Sequence, residues 1–237
     1  MEIDVCFSPA LYPFYQRLDA VVVVVDVFRA TTTIVTAFEN GAYSICPVAS
    51  VEEAKRFKSA GMLVGAERNV RRCSFADFGN SPFDYTPEKV KGKALVFTTT
   101  NGTKALHCIT SAHRIITGAF INLQAVADYC LHAGKDVTVL CSGWEDKVNM
   151  EDILFGGALA GRLQEQGCRP AGDAAFIALR LWKEAEKDPA ACLAQSEHIR
   201  RLKSNGLEKD MQYCLTFNQS GLVPVYNRDK KILTVEQ

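Results

Sequence analysis

The chain has 237 residues, 48% hydrophobic and 23% charged, and its 27 Lys and Arg are matched by 27 Asp and Glu. This is the make-up of a globular domain with a sizeable core, and the balanced charge excludes a basic nucleic-acid binder. The apolar runs are too short to span a bilayer, and the opening "MEIDVCFSPA" lacks the basic n-region of a signal peptide, so no membrane partner is expected. Nine cysteines are scattered singly with no C-x-x-C, which argues against a zinc ribbon or a thioredoxin-like motif. They read as reduced, mostly buried thiols of a cytoplasmic protein.

Along the chain, strand-like and helix-like segments alternate. "AVVVVVD", 20–26, is a continuous β-branched run, as in a strand buried on both faces. "ATTTIVTAFENG" predicts a helix closed by Gly41, "AYSICPV" a strand, and "SVEEAKRFKSAG" a helix opened by a Ser50/Glu53 capping box and stopped at Gly61. "MLVGA" is a short strand. Residues 67–92 have no period and read as a long loop, a length that usually signals function. "KALVFT" is a strand, "NGTKALHCITSA" a helix, "RIITGAF" a strand, "NLQAVADYCLHAG" a helix and "DVTVLCSG" a strand. The helix "NMEDILFGGALAGRLQEQG" follows. From about 172 to 216 the pattern is mostly helical, and "LVPVY" and "KILTV" read as short terminal strands. With no linker or repeat, the expectation is a single domain over 1–237 of the α/β class, its largely parallel or mixed sheet sandwiched between helices.

Ligands of open α/β sheets bind beyond the carboxyl ends of strands. Four polar clusters fall at such ends. In the first, Asp26 ends the valine run and Arg29 and Thr31–Thr33 follow. A carboxylate there must be solvated, paired or bound to a cation, so it is a site residue, an N-cap or a partner of Arg29. Arg29 has the planar fork suited to phosphate or sulfonate, or is a surface arginine. The second is Glu67, Arg68 and Asn69, a salt-bridged pair or site residues. The third, "FTTTNGTKAL", gathers Thr98, Thr99, Thr100, Asn101, Gly102 and Thr103 before a helix; it can hold an anion or simply cap the helix through Asn101 or Thr103. The fourth is Ser142-Gly143 before Glu151-Asp152. Acids in a first helical turn are common, and beside Asp26 they would complete an oxygen-rich Mg²⁺ site. "FGNSP", 78–82, reads as a turn whose Asn80 and Ser81 can also bond a ligand.

"HCITSAHR", 107–114, matches the H-C-x5-R spacing of cysteine phosphatases. It has no glycine between Cys108 and Arg114, and its apolar residues recur at helical spacing, so the match is accidental. No P-loop, G-x-G-x-x-G or D-x-D nucleophile pair is present.

Taken together, "VVVVVDVFRATTTIVTAFENGA", "GAERN", "FADFGNSP", "FTTTNGTKAL", "TGAFINLQAVA", "VTVLCSGWEDKVNMEDILFGGAL" and "DMQYCLTFNQSGLVPV" resemble, in this order, the ComB family of 2-phosphosulfolactate phosphatases. Phe28 stands where an aliphatic residue is expected, and "GWEDKVNMED" is a locally variable loop. The resemblance implies a three-layer α/β/α fold and Mg²⁺-dependent cleavage of 2-phosphosulfolactate to sulfolactate and phosphate, on the route to coenzyme M. On that reading Asp26, Arg29, Glu67 and Asn101 are catalytic. Thr31, Thr32, Arg68, Asn80, Ser81, Thr99, Thr100, Gly102, Thr103 and Ser142 bind the small anionic substrate, and Asp26, Glu151 and Asp152 hold the metal. Family members also occur in organisms not expected to make coenzyme M. A homodimer is the expectation from enzymes of this size. The rival reading from another class is a non-catalytic binder of small sulfonates or phosphorylated acids.

Overall fold

The computed structural model describes residues 1–236. Among them, eleven strands form one mixed sheet: β1 (Glu2–Cys6), β2 (Val21–Val25), β3 (Ser44–Pro47), β4 (Leu63–Arg68), β5 (Arg71–Arg72), β6 (Ala94–Thr98), β7 (Arg114–Gly118), β8 (Val137–Cys141), β9 (Arg169–Pro170), β10 (Pro224–Asn227) and β11 (Ile232–Val235). Their spatial order is β5-β4-β6-β3-β11-β10-β7-β2-β8-β1-β9.

Two parallel blocks, β7-β2-β8-β1-β9 and β3-β6-β4, are joined by the antiparallel pair β10/β11. The ladder therefore runs the two blocks in opposite senses. Strand-to-strand twist of about 20–25° accumulates to roughly 100–125° over the five steps from β2 to β6. That rotation brings the carboxyl ends of both blocks toward one region, which is why one site can draw on β2, β4, β6 and β8.

Helices cover both faces. The chain's helices are α1 (Tyr12–Tyr15), α2 (Ala30–Glu39), α3 (Val51–Ser59), α4 (Pro87–Val90), α5 (Gly102–Cys108), α6 (Leu123–Ala133), α7 (Met150–Glu165), α8 (Gly172–Ala185), α9 (Pro189–Leu193), α10 (Glu197–Lys203) and α11 (Glu208–Cys214). All five valines of β2 are fully buried, each contributing about 1.5–3 kcal/mol relative to exposure. Val21, Val23 and Val25 pack with residues of α6, α7 and α8. Val22 and Val24 share a cluster with Ile34 of α2, Leu106 of α5, Ile45 of β3 and Leu95 of β6, so the sheet curls until both blocks face the same apolar filling. The α/β sandwich expected from the alternation is the observed architecture. Helices α7 and α8 approach so closely that a Cβ on Gly157 would lie 2.0 Å from the Ala178 carbonyl oxygen.

Three expectations are corrected. Residues 67–92 are not one loop: they hold the end of β4, its antiparallel partner β5, a 3-10 turn over Pro82–Asp84, and α4. The helix expected over 101–112 ends at Cys108, because residues 109–113 leave the helix to start β7. Residues 2–6, not read as an element, form β1, which pairs with β8 deep in the sheet. The mostly helical stretch after 172 resolves into α8 to α11, with α8 packed on α7 and β1.

Candidate active site

Asp26 follows the last residue of β2 and is 8% exposed. Its backbone N–H is received by Thr31 Oγ1 at 3.1 Å, and its Oδ1 accepts a long 3.4 Å bond from Ala30 N in the first turn of α2. The carboxylate thus leans on the α2 N-terminus, but it does not pair with Arg29. Burial pushes the Asp26 carboxyl up to about 6; His198 opposes the rise, while Glu67 and Glu151 add to it.

Arg29, preceded by a cis Phe28–Arg29 peptide, lines the space beside Asp26. It is buried and donates from Nη1 to Asp210 Oδ2 at 2.6 Å and from Nη2 to the Val70 carbonyl at 3.1 Å. Ser81 Oγ donates to the other oxygen of Asp210 at 2.9 Å. This triad fastens α2, the turn after Gly79 and α11 together. Glu67 is buried, and its Oε1 receives Val70 N. Arg68 donates to the Glu67 carbonyl and to Thr98 Oγ1, tying the ends of β4 and β6, and lines none of the cavities near Asp26.

The α5 N-terminus meets Asp26 directly. A Cβ on Gly102 would lie 2.8 Å from Asp26 Oδ2, so only glycine lets the helix come this close. Thr103 Oγ1 donates back to the Thr99 carbonyl, and Asn101 Oδ1 receives Glu145 N from the loop after β8, so Asn101 makes no side-chain cap bond. Thr99 Oγ1, Thr100 Oγ1, Asn80 Oδ1 and Ser142 Oγ are buried with no hydrogen-bond partner in the protein. Such atoms cost free energy unless a ligand or water meets them, and Asn80 and Thr99 line one space with Asp26. Thr31 and Thr32 have internal partners instead: Thr32 Oγ1 donates to the Val27 carbonyl at 2.9 Å.

The two acids of α7 divide their work. Asp152 Oδ1 accepts from Val27 N at 2.9 Å and its Oδ2 from Gly143 N at 3.1 Å, clamping the loops that leave the neighbouring strands β2 and β8. Burial, then Glu151, then Asp26 hold its carboxyl well above the usual carboxylate range. Glu151 is fully buried; its Oε1 meets His198 Nδ1 at 2.5 Å, and its Oε2 has no partner. No group of three or more His, Cys, Asp or Glu side chains among the described residues is gathered tightly enough to hold a metal ion.

Two cavities adjoin these groups. A space of about 10 Å³ is lined by Asp26, Arg29, Glu67, Asn80, Thr99, Asn101 and their neighbours, about the room one water needs. A larger one of about 140 Å³ lies between the loop after β8 and α10. Trp144 and His198 line both.

The structure therefore gathers Asp26, Arg29, Glu67, Asn80, Thr99 and Asn101 around one space, with Gly102 against Asp26, Ser142 on the loop after β8 and Glu151 and Asp152 in the first turn of α7. It engages Arg29 and Ser81 in a buried pairing and ties Arg68 to strand ends. Sequence reasoning missed Trp144, His198, Arg201 and Asp210. Trp144 and Asp210 lie in strings singled out by the resemblance, whereas His198 and Arg201, on α10, lie in none.

Comparison with known proteins gives the chain a family. A family model described as 2-phosphosulpholactate phosphatase matches residues 6–229. A protein of Caldanaerobacter subterraneus subsp. tengcongensis is 40% identical over 207 residues, covering 86% of each chain, and is named "Probable 2-phosphosulfolactate phosphatase". A Carboxydothermus hydrogenoformans protein of the same name is 37% identical over 100% of this chain and 98% of its own length. One from Synechococcus sp. CC9605, again of that name, is 39% identical over 94% of this chain and 96% of its own.

Proposed function

Because the chain belongs to the 2-phosphosulpholactate phosphatase family, a family of phosphoric monoester hydrolases, we propose that it hydrolyses 2-phosphosulfolactate to sulfolactate and phosphate with Mg²⁺ as cofactor, in the cytoplasm and on a coenzyme M-type route. The observation that carries this reading is the meeting of buried unpartnered hydroxyls with buried carboxylates where β2, β6 and β8 end. The hydroxyls of Thr99, Thr100 and Ser142 and the N-terminus of α5 offer donors to phosphoryl oxygens. Water attacks phosphorus, the phosphorus–oxygen bond to the substrate carbon breaks, and the leaving oxygen takes a proton to become the hydroxyl of sulfolactate. Asp26 faces the phosphoryl group, and Gly102 keeps the helix close enough for contact.

Asp26, Glu67 and Glu151 set carboxylates around the place for a phosphoryl group, and Arg29 is already paired with Asp210, so a bound cation there would offset their charge. The donors fit Mg²⁺. All are hard carboxylate oxygens, Glu151 Oε2 is buried and unpartnered, and this ion keeps several waters and takes substrate oxygens, so it needs no three-ligand protein cage. Asp26 and the unpartnered Glu151 Oε2 would hold it, with Asp152 steadying the two loops beside them through Val27 N and Gly143 N, and it would supply Lewis-acid charge to the phosphoryl oxygens. No helix of the described residues is long and apolar enough to cross a membrane.

The test is phosphate release from 2-phosphosulfolactate while Mg²⁺ is titrated, with sulfolactate identified as product. Release that rises with Mg²⁺ and stops in excess chelator is expected. Binding without release at any Mg²⁺ level would overturn the reaction in favour of a binder.

A further inference from the structure

We propose that the cavity of about 140 Å³ between the loop after β8 and α10 is a subsite for an organic oxyanion, sulfonate or carboxylate, carried on the carbon next to the phosphorylated one, and that Arg201 determines this specificity. This inference rests on the reaction proposed above for the placing of the phosphoryl group near Asp26.

The argument starts from Arg201. Its guanidinium lies over the Trp144 ring, with Cζ 3.5 Å from the ring centroid. Stacking of this kind fixes the plane of the fork and leaves its edge free to bond in that plane. Yet no side-chain N–H of Arg201 reaches an acceptor among the described residues, and its Nε is buried and unpartnered. Nor does any carboxylate approach within salt-bridge distance, although Glu145, Glu151 and Glu197 line the same cavity. A half-buried guanidinium with unused donors calls for an acceptor-rich partner from outside the protein.

The position of the cavity selects the partner. Trp144 and His198 form the shared wall between it and the space at Asp26. His198 and Arg201 are three residues apart on α10 and project from the same side of the helix. A small molecule with its phosphoryl group near Asp26 thus extends its carbon chain past His198 toward Arg201. Lys147, also on the wall, adds a second cation. Trp144 itself is held by backbone bonds in both directions with Lys147, so stacking partner and second cation belong to one tight turn.

The test is calorimetric titration of the full chain, with Mg²⁺ in excess, using three ligands without phosphate: 3-sulfolactate, malate and lactate. Malate puts a carboxylate where sulfolactate has its sulfonate, and lactate has neither. Sulfolactate is expected to bind at least about tenfold more tightly than lactate, the return from charge-assisted bonds to a fixed fork. Arg201→Met keeps the apolar stem over Trp144 and should erase that gap. Arg201→Lys should recover only part of it. Thermal melts check that each variant is folded. Malate binding as tightly as sulfolactate supports an oxyanion subsite that takes either head group. Equal binding of all three ligands by the wild type, or an undiminished gap in a folded Arg201→Met, overturns the proposal. Arg201-dependent sulfolactate binding by a protein that releases no phosphate from 2-phosphosulfolactate would sink the proposed reaction and leave the subsite standing.

Discussion

Gly102 and Asp26 are in contact that no side chain at 102 could allow: a methyl group there would sit 2.8 Å from Asp26 Oδ2 and 2.9 Å from Ala30 Cβ. Two helices, α2 and α5, therefore begin against the same carboxylate. Gly102→Ala should force Asp26 or α5 to move, with an overpacking cost of about 1–3 kcal/mol. The melting temperature should fall by about 2–4 °C for each kcal/mol in a chain of this size. Displacing the carboxylate should also lower kcat/KM by at least about tenfold. A thermal melt and steady-state kinetics on the one variant check both. Wild-type values for both would show that the contact is relieved without cost.

The Arg29–Asp210 pair is almost fully buried and joins residues 181 apart in sequence. Asp210→Ala would leave an uncompensated buried guanidinium, for about 3–5 kcal/mol of lost stability. Asp210→Asn, which keeps the shape, can still accept from Arg29 through its amide oxygen and can donate its amide N–H to Ser81 Oγ, should cost less. The double variant Arg29→Met with Asp210→Leu should regain much of the loss, because it removes both charges. Urea unfolding of the set checks the order; equal stability of Asp210→Ala and wild type would refute the structural role.

This pair also marks the limit of what the sequence discloses. The valine run of β2 and the polar residues after it are legible because continuous β-branched burial has one common cause and its polar terminus is anomalous. The same holds for Thr99 to Gly102 after β6. The partner of Arg29 is not legible. A guanidinium after a buried strand looks available to an anion until α11 docks and brings Asp210 to it. His198 and Arg201 sit in "HIRRLK", an ordinary capped surface-type helix by pattern, and acquire a role only when α10 closes over the loop that carries Trp144. Strand β1 was missed for another reason: its five residues mix Glu2 and Asp4 with apolar neighbours, too short a run to separate alternation from chance.

Cys108 lies in the last turn of α5, its Sγ donating to the Ala105 carbonyl, and burial pushes its thiol up to about 11. A thiol so placed is not a thiolate nucleophile at neutral pH. Cys108→Ser should keep kcat/KM within about threefold, and short treatment with iodoacetamide should leave turnover intact. Complete loss of activity in a folded Cys108→Ser would restore the cysteine mechanism that the H-C-x5-R spacing suggests.

Asp26→Asn separates a chemical role from a capping one. Asn is nearly as good an N-terminal helix cap as Asp, so a residue that only supports α2 would be replaced without consequence. A carboxylate that faces the phosphoryl group and helps to hold a cation would not, and kcat/KM should fall by at least about 100-fold. The stability of the same variant follows from the sign of the shift. The folded-state value near 6 lies above the ordinary carboxylate value of 3.8, so the folded protein binds this proton more tightly than the unfolded chain does. The favourable contribution is fully present below pH 3.8 and is lost as the pH rises through about 6. Above that, wild type carries a buried charge that Asn lacks. Without Mg²⁺, Asp26→Asn should therefore melt at the same temperature as wild type or higher at pH 7.5, and the difference should shrink toward pH 4. Melts at the two pH values, set beside kcat/KM at neutral pH, test both halves. An Asn variant that is less stable at pH 7.5 yet catalyses at the wild-type rate would make Asp26 a structural residue and move the site elsewhere.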